Sequence, residues 1–198
     1  LLGDTGAGVF FQITAVYAIV TALCALGADT GLVRFLSASR ALGRVQDSRF
    51  LIVTALVPVT LASIAVASLL WWAAPFVSAL PWADDEIVAG IRVAAPFIVF
   101  SSIMVVLFGA LRGNGQIVRF ALLQNLVLPL LRLVAILVAV WLGANVWHLS
   151  AAWAMPVLFV GLLAGVTLLH TLRESSLRAI NAVDESPRPV SYTHLTLP

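Results

Sequence analysis

The chain has 198 residues, of which 62% are hydrophobic and 10% are charged, and its formal net charge is +2 at pH 7. Soluble domains carry roughly 25% charged residues, so this chain has too few charges to cover a surface that faces water. All of its basic residues are arginines spread thinly along the chain, which excludes a nucleic-acid-binding face, and its single cysteine excludes an intrachain disulfide.

Five apolar stretches are long enough to cross a membrane as helices. A spanning helix needs about 20 mostly apolar residues, each adding about 1.5 Å across a hydrocarbon core of about 30 Å. The stretches are residues 8–27, 50–70, 87–111, 120–142 and 147–171. Spanning strands are excluded because their edges would stay unpaired in lipid. The sequence therefore predicts an all-α fold, a polytopic transmembrane helix bundle over residues 1–172.

The charges between these stretches predict an orientation. Arginines cluster after the first, third and fifth stretches, and cytoplasmic loops collect arginine. The segments after the second and fourth stretches contain no arginine. Tryptophans, which prefer the headgroup level, fall at the predicted outer ends, and Trp153 alone lies deeper. We therefore predict that residues 1–7 and the two segments without arginine face outward from the cytoplasmic membrane.

The segments outside the five apolar stretches are interpreted mainly as connections and chain ends. Residues 28–48 are long enough for an interfacial helix, with Leu32, Phe35, Leu36 and Leu42 on a partly apolar face. Residues 173–189 are interpreted as a cytoplasmic linker that begins as a helix. The last residues, 190–198, resemble a translated sequencing adapter and are interpreted as a non-native tail. Because the chain begins without Met, we expect that a preceding helix is missing.

The first stretch carries a weakly polar stripe. Thr14, Tyr17, Thr21 and Cys24 recur at the spacing i, i+3, i+7 and i+10, which places them on one face of a helix. That face is expected to contact protein or a cavity more than lipid, with interhelical packing as the favoured role.

Arg92 lies about 7.5 Å inside the outer end of the third stretch, at about 1.5 Å per residue. Two interpretations stay open for it. Its long side chain can reach the surface by snorkelling, or it can line a substrate path.

Arg132 is the most informative residue, because it lies within one residue of the centre of the fourth stretch. An arginine at that depth costs roughly 2.5–3.5 kcal/mol unless it faces protein or a water-filled cavity. Asn125, Pro129 and Arg132 follow the spacing i, i+4, i+7 and would share one face of a regular helix. The favoured interpretation is a cationic anchor for an anionic substrate, since guanidinium binds phosphate bidentately. The alternative is an arginine tied to a carbonyl or a carboxylate of a missing helix.

Enzyme signatures are not found. The sequence has no Walker-type glycine loop, no HExxH pair and no carboxylate inside a spanning stretch. We therefore expect a protein that is not an enzyme and uses no cofactor. A carboxylate site for a proton or another cation would have to use Asp4 or Asp29, at the helix ends, or lie in sequence missing from this chain.

Two stretches carry a resemblance to a known family: the first comprises residues 6–10, an apolar helix and residues 27–36, and the second comprises residues 108–115. Residues 6–10 and 27–36 are similar to the second helix and its exit, and residues 108–115 to a short cytoplasmic turn before a helix that contains Pro129 and Arg132. The chain resembles the polysaccharide-precursor flippases of the multidrug/oligosaccharidyl-lipid/polysaccharide exporter superfamily. The resemblance implies a partial amino-terminal lobe of a two-lobe transporter that works by alternating access.

The resemblance also implies a substrate, a lipid-linked anionic glycan whose pyrophosphate binds cavity arginines. Arg132 and Asn125 are the first candidates for this contact, followed by Arg92 and by Arg34, which matches the exit motif. Arg34 can equally be a charge that only sets the topology.

Two alternatives stay open. A cation-coupled multidrug antiporter of the same superfamily would be expected to need a membrane-embedded carboxylate. A membrane-embedded glycan polymerase or ligase would carry large outward loops. The two segments predicted here to face outward between spanning stretches are short. Oligomeric state, coupling ion and the particular glycan are not predicted.

Overall fold

The computed structural model describes residues 4–43, 47–77 and 85–184. The described part of the chain is helical and contains no strand. Its helices are α1 (Asp4–Cys24), α2 (Ala28–Ala41), α3 (Asp47–Val77), α4 (Asp85–Gly113), α5 (Ile117–Leu122), a π-turn (Leu123–Val127), α6 (Leu128–Trp141), α7 (Val146–Ala154) and α8 (Pro156–Asp184). The predicted all-α fold is confirmed.

Within the described ranges, five segments are long and apolar enough to span a membrane, as the sequence predicts. They are Gly6–Cys24, Asp47–Phe76, Ile87–Gly113, Ile117–Trp141 and Trp147–Ser175. The chain is therefore a multi-pass helical membrane protein. The helix of the last span continues into the predicted linker as far as Asp184. The predicted tail, residues 190–198, lies outside the described residues.

Helix α4 is the centre of the bundle and packs against α1, α2, α3, α7 and α8. One apolar cluster joins α4 to α2, α3 and α8, and includes Leu36, Val59, Leu111 and Val160. A second joins α4 to α1 and α7, and includes Ile13, Ile98 and Ala154. By contrast, α5 and α6 bury little of their surface and leave a broad apolar face for lipid.

The predicted helix between the first two spans is present as α2, but its apolar side differs from the prediction. Leu32 and Leu36 are buried against the bundle, whereas Phe35 and Leu42 are exposed. The exposed pair leaves apolar surface that a membrane interface can cover. The guanidinium of Arg40 donates a hydrogen bond to the Asn114 carbonyl at 3.1 Å. Two of the three segments predicted to be cytoplasmic, those after the first and third spans, therefore lie at one end of the bundle.

The fourth span departs from a regular α-helix at the π-turn Leu123–Val127. Pro129 comes two residues after this turn, and the turn fits its stereochemistry. In a regular helix its ring would collide with the carbonyl of Asn125 and remove one backbone hydrogen bond. The wider π-turn, just before the proline, accommodates both changes, and such turns occur frequently at functional sites.

The chain reverses between α1 and α2 through two residues in the left-handed region, Leu26 at φ 51° and Gly27 at φ 68°. A Cβ at Gly27 meets no atom within 4 Å, so only the backbone opposes a side chain there. We expect Gly27→Ala to lower the free energy of unfolding by about 1–2 kcal/mol, measured by thermal denaturation in detergent. Gly8→Ala is the control, because Gly8 is helical and equally open. Equal stability of the two variants would contradict this prediction.

Candidate functional site

The side chain of Arg132 lies inside the bundle, against an aromatic ring. Arg132 is half-buried on α6, three residues or about 4.5 Å past the midpoint of the span Ile117–Trp141. Its guanidinium carbon lies 3.9 Å from the centroid of the Trp153 ring, on α7. A cation this close to an indole face is stabilised by the ring quadrupole, by about 2 kcal/mol when both groups are desolvated. The protein thus holds the charge without neutralising it.

Trp153 is held in turn by α1 and α4. Its ring meets that of Tyr17 edge to face, with the centroids 5.1 Å apart. The Tyr17 hydroxyl donates a hydrogen bond to the Phe97 carbonyl at 3.1 Å and is also hydrogen-bonded to the Ser101 hydroxyl. We call Tyr17, Ser101, Arg132 and Trp153 the arginine cluster. It joins four helices, α1, α4, α6 and α7, at one point in the bundle.

The hydrogen-bonding capacity of Arg132 is left unused by the described residues. Its Nε is buried, and within residues 4–43, 47–77 and 85–184 no group accepts a hydrogen bond from it or pairs with its charge. A buried donor without an acceptor costs about 1–3 kcal/mol, and more for a charged group. A phosphate oxygen would supply the acceptor and the opposite charge together. The cluster is therefore suited chemically to bind an anion.

Asn125 lies in the π-turn and is exposed, as is Pro129, whereas Arg132 is half-buried. The shared face predicted for these residues assumes a regular α-helix. A π-turn has more residues per turn, so it rotates Asn125 relative to Arg132 around the helix axis. Among the described residues no hydrogen bond joins the two side chains.

The other two candidate arginines lie apart from the arginine cluster. Arg92 is exposed on α4, and Arg34 is exposed on α2. Among the residues whose side chains the structure describes, neither forms an ion pair. The structure therefore brings none of the other sequence candidates to Arg132, and their contact with a substrate stays a prediction.

A second polar site joins the start of α2 to the end of α4. Arg112 donates to Asp29 through Nη2, 3.0 Å from Oδ2, and its guanidinium carbon lies 4.8 Å from the centroid of the Phe120 ring. Both charged side chains are about one-third exposed. They line a cavity of about 230 Å³ that Gln124 and Leu128 also border. Asp29, a candidate coupling carboxylate by sequence, is therefore paired with a cation.

Gly109 permits this pairing by letting α2 approach α4. A Cβ at Gly109 would lie 2.7 Å from the Cα of Asp29 and 2.8 Å from its carbonyl oxygen. Both are backbone atoms, so the helices would have to separate. The segments 27–36 and 108–115 thus pack directly against each other.

We expect Gly109→Ala to destabilise the protein by about 1–3 kcal/mol, because overpacking shifts the backbone of α2 and loosens the Asp29–Arg112 ion pair. Thermal unfolding in detergent measures the loss. Gly161→Ala is the matched control, since a Cβ there would lie 3.8 Å from Met104 Cβ, at ordinary contact distance. If Gly109→Ala were as stable as Gly161→Ala, the close approach of α2 to α4 would be wrong.

Sequence reasoning missed Tyr17, Ser101 and Trp153 as parts of the site. Two of these residues, Trp153 and Tyr17, nonetheless have unusual positions in the sequence. Trp153 is the tryptophan away from the membrane boundary, and Tyr17 lies in the polar stripe of the first span, which the structure buries at Tyr17, Thr21 and Cys24. Ser101 carried no signal, because an isolated serine is common in spanning helices.

Comparison of the chain with known protein families, with curated proteins and with solved structures found no match.

Proposed function

We propose that the protein is a flippase that moves a lipid-linked oligosaccharide or polysaccharide precursor across the cytoplasmic membrane by alternating access. The carrying observation is the arginine cluster. The guanidinium of Arg132 lies near the middle of a span, on the face of Trp153, and no described carboxylate pairs with it. Intramembrane charges of this kind mark substrate or ion pathways.

The chemistry of a guanidinium narrows the class of substrate. It stays charged at any physiological pH and forms two parallel hydrogen bonds with a phosphate, which suits a pyrophosphate-linked glycan lipid. The sugar would lie in a cavity between this bundle and a second lobe, while the lipid tail stays in the bilayer. Asn125, Arg92 and Arg34 are further candidate contacts that the sequence predicts.

The antiporter and the polymerase or ligase have less support than the flippase. An antiporter would be expected to need a carboxylate that takes up a cation, and Asp29 is already paired with Arg112. A polymerase or ligase would need catalytic outward loops, and only four residues separate Trp141 at the end of α6 from Val146 at the start of α7.

A gene-deletion experiment tests the class of function. Deleting the complete gene should stop the appearance of one surface glycan and raise its lipid-linked precursor in the inner leaflet, as measured by extraction and chromatography. The wild-type gene should restore export. Unchanged surface glycan together with increased sensitivity to cationic drugs would refute the flippase and favour the antiporter.

A further inference from the structure

An apolar groove lies between α3 and α4, away from the arginine cluster. Its volume is about 390 Å³, and its lining includes Ser68, Trp71, Trp72, Pro96 and Phe100. That volume falls within the range of small-molecule sites, about 300–1,000 Å³. Both tryptophans belong to the end of α3 that the sequence predicts to face outward. None of the lining residues belongs to the arginine cluster.

Arg92 lies next to this groove on the same helix. It precedes Pro96 by four residues and Phe100 by eight, so the three side chains share one face of α4. Arg92 is exposed. It lies one helical turn closer to the predicted outer end than Pro96. Its long side chain can keep the guanidinium near the headgroups while its stem lies along apolar surface.

An arginine one helical turn from an apolar groove that two tryptophans line matches the chemistry of one phospholipid. The phosphate carries the opposite charge, an acyl chain is as apolar as the groove, and indole rings prefer the level where the two meet. We propose that this groove binds an anionic phospholipid of the outer leaflet, with its phosphate on Arg92 and one acyl chain between α3 and α4. The proposal does not depend on the flippase function, and it assigns Arg92 to a lipid of the membrane instead of the transported substrate.

Quenching of tryptophan fluorescence by brominated lipids tests this site. The complete protein is placed in nanodiscs of phosphatidylcholine that contain brominated phosphatidylglycerol or brominated phosphatidylcholine. The signal from the groove is the difference in quenching between the wild-type protein and the Trp71→Phe/Trp72→Phe double variant, because both tryptophans line the groove. We expect phosphatidylglycerol to produce this signal at about a fivefold lower mole fraction than phosphatidylcholine does.

Three variants test which residues cause the preference for phosphatidylglycerol over phosphatidylcholine. Arg92→Gln should remove it, and Ser68→Leu should remove it with Arg92 intact, because leucine at this exposed lining position fills the groove. Arg49→Gln should leave it unchanged, because Arg49 is an exposed arginine at the opposite end of α3.

Three results would overturn the proposal. Equal quenching by the two lipids in the wild-type protein would mean that the groove has no preference for an anionic headgroup. A preference that survives Arg92→Gln would place the phosphate elsewhere. Displacement of phosphatidylglycerol by a pyrophosphate-linked glycan lipid, but not by free pyrophosphate, would make the transported substrate the occupant.

Discussion

Replacing Arg132 with alanine is expected to lower glycan export by at least about 30-fold while the protein still accumulates in the membrane. Truncating one partner of a desolvated charge pair costs about 2–5 kcal/mol, and the lower figure already corresponds to about 30-fold. Membrane insertion should not suffer, because an arginine near the centre of a span costs roughly 2.5–3.5 kcal/mol that alanine avoids. Surface glycan and membrane-bound protein are measured in the same cells.

Two controls show whether the effect belongs to this guanidinium. Arg119→Ala removes an exposed arginine from α5 in the same span, and it should leave export unchanged. Arg132→Lys keeps the charge but loses the planar pair of donors, so its export should fall between the other two. Normal export in Arg132→Ala at normal protein level would remove Arg132 from the transport path.

Trp153→Leu is expected to destabilise the protein by about 2.5–3.5 kcal/mol. The change removes the aromatic face 3.9 Å from the Arg132 guanidinium carbon, which is worth about 2 kcal/mol, and the edge-to-face contact with Tyr17, worth about 0.5–1.5 kcal/mol. It leaves the charge with no partner in the cluster. Thermal unfolding in detergent measures the loss, with Trp141→Leu as the control because Trp141 is 84% exposed.

A double-mutant cycle separates the cation from simple packing. In an Arg132→Leu background, Trp153→Leu should cost about 2 kcal/mol less than in the wild-type protein, because no charge is left without its aromatic partner. An equal cost in both backgrounds would mean that Trp153 only fills space and that Arg132 gains nothing from its ring.

The architecture was largely predictable from the sequence because it follows from length and apolarity. All five spans were predicted, since about 20 apolar residues form a spanning helix whatever they pack against. The ends were less predictable. The second span extends to Phe76, six residues past the predicted end. The prediction used hydropathy, whereas the end of a helix is set by its backbone hydrogen bonds, which can continue where hydropathy falls.

The site was predictable only at Arg132, whose depth is a property of one helix. Its partners Trp153 and Tyr17 lie on α7 and α1, and Tyr17 bonds to Ser101, 84 residues along the chain. Contacts of this kind depend on how each helix is rotated about its axis, which hydropathy does not encode. The same limit hid the Asp29–Arg112 pair, since it depends on how α2 packs against α4.

Binding of a pyrophosphate-bearing lipid to the purified complete protein in nanodiscs tests most directly whether the arginine cluster is an anion site. We expect saturable binding that becomes at least about 30-fold weaker in Arg132→Ala and is unchanged in Arg119→Ala. Equal dissociation constants for the wild-type protein and Arg132→Ala would contradict the assignment, and would leave Arg132 as a structural cation held by Trp153.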